Sequence, residues 1–319
     1  MSTRCRSSPR FSARCEIASS MLSGAFSRIR PSTCRSSDRT EMMNAHPLIS
    51  VGMPVYNGER YLSQAIDSIL AQSFADFTLI ISDNASIDRT QAICQDYANR
   101  DSRIRYIRQP KNLGGPRNWN YLFSCSQSPY FKWASANDLC HPDFLSGCKK
   151  ILDERHDVVL CYPRTKFIDE NGQVSKEYQD VLDIQDENST DRFIRLLMTM
   201  KLNNAESGLM RASALRKTAL EGIHQGGDIN LMAELILYGK FYELPEYYYY
   251  RRMSPDSATL NKSKEEIRQF NNPNSGKIDL STFKYHFAFF RAVHNASLQL
   301  SEKMRLYRFL TKEVYWSLR

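Results

Sequence analysis

From Leu48 onward, short apolar runs alternate with segments whose apolar residues recur every three or four positions. Leu48–Met53 is a run with Val and Ile, closed by Pro54 and the turn pair Asn57-Gly58, which predicts a strand and a sharp loop. Glu59–Gln72 carries Leu62, Ala65, Ile66, Ile69 and Leu70 at helical spacing. The same alternation predicts strands at Phe77–Ile81, Ile104–Ile107 and Tyr130–Ala134, with helices over 88–99 and 117–126 between them. Pro142 suits a first helical position and Asp143 a first turn, so a further helix precedes a fifth strand at Val158–Tyr162. This β-α-β-α order implies an α/β fold with a mainly parallel sheet and helices on both faces.

The second half is less regular. Arg192–Met200, Ser213–Leu220 and Ile229–Tyr238 read as helices, and Phe241–Arg251 as a strand containing a tyrosine run. Residues 281–319 form an aromatic, basic helical stretch with seven Lys or Arg against Glu302 and Glu313. That face suits either a solvated packing helix or a peripheral contact with an anionic membrane. The expected organisation is an N-terminal arm (1–46), disordered or upstream of a true start at Met42 or Met43, a main domain (47–255) and a helical C-terminal extension (256–319). The main domain divides into 47–150 and 151–255.

Composition changes the picture in two places. The formal charge of +8 is concentrated in residues 1–46, where eight Arg face three acids, so the rest of the chain is nearly balanced. Overall basicity therefore gives no support for nucleic-acid binding. Five cysteines lie in the body (Cys94, Cys125, Cys140, Cys148, Cys161), none in Cys-x-x-Cys spacing, which argues against structural zinc and for reduced, mostly buried thiols of a cytoplasmic protein. No run approaches the eighteen apolar residues that a membrane-spanning helix needs. The Ser- and Arg-rich arm has the composition of an organelle transit peptide or of an untranslated extension, and lacks the apolar core of a secretory signal.

Ligands of open α/β sheets gather beyond the carboxyl ends of the strands, which directs attention to four loops. Pro54-Val55-Tyr56-Asn57-Gly58-Glu59 follows the first strand and contains a plain Asn-Gly turn. Ser82-Asp83-Asn84-Ala85-Ser86-Ile87-Asp88 follows the second; Ser86 suits a helix N-cap and Asp88 its first turn, whereas Asp83 is not needed for capping. Asp83 serves either a base N–H or an Asx-turn. Asn112-Leu113-Gly114-Gly115-Pro116-Arg117-Asn118 puts two glycines before a helix, as an anion cradle would, with Arg117 facing a phosphate or solvent. It lacks the Gly-x-Gly-x-x-Gly of dinucleotide folds. In Ser135-Ala136-Asn137-Asp138-Leu139-Cys140-His141-Pro142, His141 falls at the cap and Asp138 is too early to cap, which suits a hard cation beside a diphosphate.

Taken in this order and spacing, the four loops resemble the family 2 glycosyltransferases, closely over residues 47–150 and more loosely over 150–255. The resemblance implies the A-type glycosyltransferase fold. It also implies inverting transfer from a nucleotide-diphosphate sugar, a UDP-sugar favoured, usually with Mg2+ or Mn2+. Carried onto this chain, Pro54, Tyr56 and Glu59 would border the nucleotide, Asp83 would hold the base, and Asn112 to Arg117 would lie near ribose and phosphates. The family's Asp-x-Asp-Asp corresponds to Ser135, Ala136, Asn137 and Asp138, leaving Asp138 as the metal carboxylate. The family's Glu-Asp pair, which supplies the general base, is matched by Gly227-Asp228; Asp228 is equally a good N-cap for the following helix. An Arg-x-His-like element is matched by Arg251-Arg252-Met253-Ser254, whose arginines would steady the diphosphate. The partners implied are a nucleotide-sugar donor and a glycan or lipid-linked acceptor, on the cytoplasmic side and with peripheral membrane contact, in polysaccharide or glycoconjugate synthesis. The thin acidic loop keeps a second expectation open: a catalytically weakened nucleotide-sugar-binding homologue.

Overall fold

A computed structural model describes residues 46–179, 182–254, 263–273 and 280–317. The N-terminal arm, with its three cysteines, and Arg319 lie outside them. The first strand, β1 (Ile49–Val55), is buried nearly throughout and leads through the Asn-Gly turn into α1 (Leu62–Leu70). Gly58 C=O accepts from the N–H groups of Tyr61 and Leu62, so the helix begins three residues later than its periodicity suggests. Then follow β2 (Phe77–Asp83), α2 (Thr90–Arg100), β3 (Ile104–Arg108), α3 (Gly115–Ser124) and β4 (Tyr130–Trp133). These four strands pair in parallel in the order β3-β2-β1-β4, which brings the ends of β1 and β2 side by side, Val55 opposite Asp83.

Beyond β4 the chain forms β5 (Leu139–Cys140), α4 (Phe144–Glu154), β6 (Val158–Ile168), β7 (Val174–Tyr178) and α5 (Ser189–Thr199). A 3-10 turn (Asn204–Ser207) leads into β8 (Leu209–Arg211), α6 (Ala212–Leu215), α7 (Gly227–Leu235) and the long β9 (Lys240–Arg252). The C-terminal stretch holds α8 (Lys264–Asn271), α9 (Ser281–Asn295) and α10 (Leu300–Ser317).

The sheet continues from β4 as β8-β6-β9-β5, with β7 on β6, and here it is mixed rather than mainly parallel. β8 is antiparallel to both its neighbours, β5 is antiparallel to β9, and β6 with β9 is parallel. One antiparallel pairing is local: β6 turns back directly on β7 around Asn171-Gly172, without a crossover helix, and Gly172 takes the left-handed conformation that such a turn requires.

Alternate residues of β2 feed two cores. Leu79 and Ile81 point toward α1, α2 and α4, packing with Ile66, Cys94, Phe144 and Leu152. Ile80 points to the opposite face, among Leu122 of α3, Phe193 of α5 and Leu231 of α7. Val293 of α9 and Leu306 of α10 belong to that second core, so the C-terminal helices share the interior of the sheet. Each buried aliphatic or aromatic side chain contributes about 1.5–3 kcal/mol. Cys94, Cys140, Cys148 and Cys161 are buried and unpaired, as their apolar surroundings led us to expect. No described helix is long and apolar enough to cross a membrane.

Candidate functional site

The loops after β1 and β2 are stapled together. Asn57 N–H donates to Ser86 Oγ (2.9 Å), Gly58 N–H to Thr90 Oγ1 (2.9 Å) and Glu59 N–H to Asp88 Oδ2 (3.0 Å). In return Ile87 N–H donates to Asn57 Oδ1 and Arg89 N–H to Glu59 Oε2. Asn57 and Ala85 both sit at positive φ, 51° and 63°, which this mutual bonding holds in place. Two expectations change here. Ser86 is not the helix cap, because its hydroxyl faces the first loop; and the Glu59 carboxylate meets the Arg89 backbone and guanidinium, so it braces the loops. Pro54 is half-buried at the end of β1, and Tyr56 stands exposed beside it.

Asp83 is fully buried. Its Oδ1 accepts from Ser86 N–H (2.8 Å), closing an Asx-type turn, and its Oδ2 accepts from Tyr106 Oη (2.9 Å) and Arg108 Nη1 (2.5 Å). Burial, with the Asp83 carboxylate next in effect, pushes the Tyr106 phenol well above its usual range. Arg108 is the partly exposed member of this group and covers the carboxylate from the solvent side.

The third loop hangs on Asn84, whose Nδ2 donates to Asn112 Oδ1 (2.9 Å) and whose Oδ1 accepts from Leu113 N–H (2.8 Å). Asn112 Oδ1 also accepts from Gly114 N–H. The glycine pair does not form the expected anion cradle. A Cβ on Gly115 would lie 2.4 Å from the Phe270 ring, so its small size admits a side chain of α8. Arg117 lies at the same contact, donating to Asn272 Oδ1 (2.9 Å).

Asp138 stands where the other half of the sheet meets the first. Its Oδ2 accepts from Tyr249 Oη (2.6 Å) and its Oδ1 from Arg252 N–H (2.8 Å). Arg252 is 2% exposed: it donates to the carbonyls of Asn137, Asp169 and Glu170 and to Gln64, and stacks over Tyr61. Its guanidinium therefore ties loops together and is not offered to a diphosphate. The neighbouring Arg251 is half-buried and donates to Asn204 Oδ1 (2.6 Å). Behind Asp138, Lys132 is buried within β4, its ammonium 4.0 Å over the Phe144 ring and donating to the carbonyls of Trp133 and Ser207. Burial lowers the Lys132 pKa.

Asp228 lies in the first turn of α7, but it is not the cap. That position is held by Gly226 at φ 80°, and Asp228 Oδ2 instead accepts from Asn203 Nδ2 (3.1 Å). Gly227 replaces the glutamate of the family pair for a steric reason, since a Cβ there would lie 2.2 Å from the Gly222 carbonyl oxygen. Two more carboxyl groups surround Asp228. Burial, then Asp228 and Glu221, raises Glu206 well above the carboxylate range; burial and Asp228 push Glu221 up to about 8. Asn203 Oδ1, Glu206 Oε1 and Glu221 Oε2 are buried acceptor atoms with no protein partner.

The sequence-predicted residues thus fall into two groups. Pro54, Tyr56, Glu59, Asp83 and Asn112 gather at the stapled loops, with Arg117 at the α8 contact. Asp138, Arg251 and Asp228 gather around the 3-10 turn. Residues that the sequence did not single out complete the second group: Asn203, Asn204, Glu206, Glu221, Lys132 and Tyr249. The one visible signal was Lys132, a lysine inside an apolar strand.

The expected Mg2+ or Mn2+ would need free oxygen ligands beside the diphosphate. Among the described residues no three His, Cys, Asp or Glu side chains come together to hold a metal ion. Both Asp138 oxygens already accept hydrogen bonds, Ser135 Oγ accepts from Asn137 N–H, and the Asn137 carbonyl from Arg252. These residues do not fit a preformed cation site.

Comparison with known proteins agrees with this architecture. The family model described as Glycosyl transferase family 2 matches residues 50–220, more than half of the chain. An uncharacterized glycosyltransferase of Methanocaldococcus jannaschii is 33% identical over 135 residues, which cover 42% of this chain and 47% of that protein. The chain thus spans less than half the length of that relative. S. aureus TarS 1-349 in complex with UDP-GlcNAc shares the fold, with a TM-score of 0.59 and 18% identity over 80% of this chain and 69% of TarS 1-349. The mannosyltransferase PcManGT of Pyrobaculum calidifontis, solved with GDP-Man and Mn2+, has a TM-score of 0.50 at 12% identity, covering 86% of this chain and 81% of its own.

Proposed function

The chain belongs to glycosyl transferase family 2, and from that premise we propose that it transfers a sugar, with inversion, from a UDP-sugar to an acceptor hydroxyl. The observation that carries this reading is the grouping of Asp138, Arg251 and Asp228 around one turn, beside two stapled loops at the ends of β1 and β2. The nucleotide lies over those loops, against Pro54 and Tyr56, with Asn112 and Arg117 toward the ribose and phosphates. The base reaches Asp83 by displacing Arg108 from its outer oxygen. The likeness to TarS, whose complex holds UDP-GlcNAc, supports a UDP-sugar as donor.

In the reaction the acceptor oxygen attacks the anomeric carbon from the face opposite the diphosphate. The bond to the leaving phosphate oxygen breaks with its electron pair, and the acceptor proton passes to Asp228. Arg251 stabilises charge growing on the diphosphate. Asp228→Asn should lower UDP release from a UDP-sugar by about 10²-fold or more while leaving the Kd for UDP unchanged by calorimetry. Full turnover in that variant removes Asp228 from the role.

The lipid-linked acceptor and the peripheral membrane contact belong to the same proposal. On α9, Phe283 and Phe287 are exposed and stacked, ring centroids 5.9 Å apart, with Lys284 and Arg291 exposed on the same helix. An aromatic and cationic face of this kind suits an anionic bilayer surface, and the buried free thiols suit the reducing cytoplasmic side. The acidic loop favours one second reading, a nucleotide-sugar-binding homologue with weakened catalysis, because Ser135 and Asn137 stand where the family has carboxylates. Measurable donor turnover, even slow hydrolysis to free sugar, counts against it.

A further inference from the structure

We propose that the turn Asn203–Ser207 is the positioning element of the transfer site, with Asn203 orienting Asp228 and Asn204 orienting Arg251 through opposite halves of their amides. This rests on the roles given above to Asp228 and Arg251. Asn203 uses its nitrogen, donating from Nδ2 to Asp228 Oδ2 at 3.1 Å. Asn204 uses its oxygen, accepting at Oδ1 from Arg251 Nη1 at 2.6 Å. The two residues are adjacent, so their Cα atoms are held about 3.8 Å apart. The separation of the proton acceptor and the leaving-group arginine is thereby set within one dipeptide. Three residues after Asn204, Ser207 Oγ donates to Tyr249 Oη at 3.0 Å, and Tyr249 donates to Asp138.

The turn is firmly seated. Ala205 is fully buried in the core, and Lys132 donates to the Ser207 carbonyl. A Cβ on Gly208 would lie 2.7 Å from the Cys161 carbonyl oxygen, so the backbone there rests directly on β6. A donor fixed on Asp228 Oδ2 stops the carboxylate from rotating and leaves Oδ1 to take the acceptor proton. Burial, then Asp228 and Glu221, raises the Glu206 carboxyl on the same turn well above the carboxylate range.

The two amides meet their partners through different atoms, so the isosteric change of Asn to Asp acts on different quantities. Asn203→Asp removes the N–H and sets a charge against Asp228. Its kcat for UDP release from UDP-GlcNAc should fall at least about tenfold, with the Kd for UDP within twofold of wild type. Asn204→Asp keeps an oxygen for Arg251, so its UDP Kd should rise less than that of Asn204→Ala. Asn204→Ala should raise the Kd about tenfold, and restoration by the aspartate distinguishes positioning from a packing role. Melting temperatures of all three confirm folding. Equal behaviour of the two aspartate variants overturns the proposal. Asp228→Asn is the control: its full activity would defeat the proposed function, whereas an inactive Asp228→Asn beside a fully active Asn203→Asp would defeat this inference alone.

Discussion

A carboxylate buried at the end of a strand must have its oxygens met, and Asp83 has three donors: a backbone N–H, a phenol and a guanidinium. Asp83→Ala should therefore cost roughly 1.5–3 kcal/mol in urea denaturation, apart from any effect on nucleotide binding. Glu221 makes the opposite case, a carboxyl held neutral up to about pH 8 by burial and by Asp228. An unfolded glutamate ionises near pH 4.3. Between these values the unfolded state binds fewer protons than the folded state, so this group lowers stability as pH rises through that window and adds nothing further above it. Glu221→Gln should flatten the fall in melting temperature between pH 5 and 8 and raise it most at pH 8. Parallel curves for variant and wild type would contradict this. Asp83 and Asp228 stood out in the sequence because one opens a loop at a strand's end and the other opens a helix. Glu206 and Glu221 did not, since their chemistry comes from burial and from one another and Asp228, which no local pattern marks.

At the scale of elements, what the sequence revealed depended on period. The βα units up to β4 carry clear periods of two and 3.6, and their strands pair in parallel as that alternation implies. β8 is three residues long and β7 has an almost wholly exposed polar face, so neither has an apolar pattern to read. The turn Asn203–Ser207 has no period at all, and its value lies in contacts with Tyr249, Arg251 and Asp228. Helix starts shifted because side chains expected as caps had other partners: Ser86 meets the first loop and Asp228 meets Asn203. Gly226-Gly227 is the clearest element-level constraint, combining a left-handed cap with a backbone contact too close for any side chain. Gly227→Ala should destabilise by about 1–3 kcal/mol, read as a shift of the urea midpoint at constant m-value. A neutral outcome would mean that α7 can move off Gly222.

Across the whole molecule, the parallel half of the sheet supplies the stapled loops, and the mixed half supplies Tyr249, Arg251 and the turn that aligns them with Asp228. The C-terminal helices pack into the core on one side and expose Phe283, Lys284, Phe287 and Arg291 on the other. Replacing both Phe283 and Phe287 with Ser should reduce co-sedimentation with phosphatidylglycerol vesicles without changing UDP affinity. Equal sedimentation would assign that face to solvent. The fold was legible from the loops and their order, and so was the thinness of the acidic loop; the structure adds the bonds that both Asp138 oxygens already accept. A thermal-shift titration of the full chain with UDP-, GDP- and dTDP-sugars, each with Mg2+, with Mn2+ and with EDTA, decides between the readings. A donor-binding transferase with this site should melt several degrees higher with a saturating UDP-sugar, and that shift should persist in EDTA; no shift with any nucleotide sugar under any condition would contradict it.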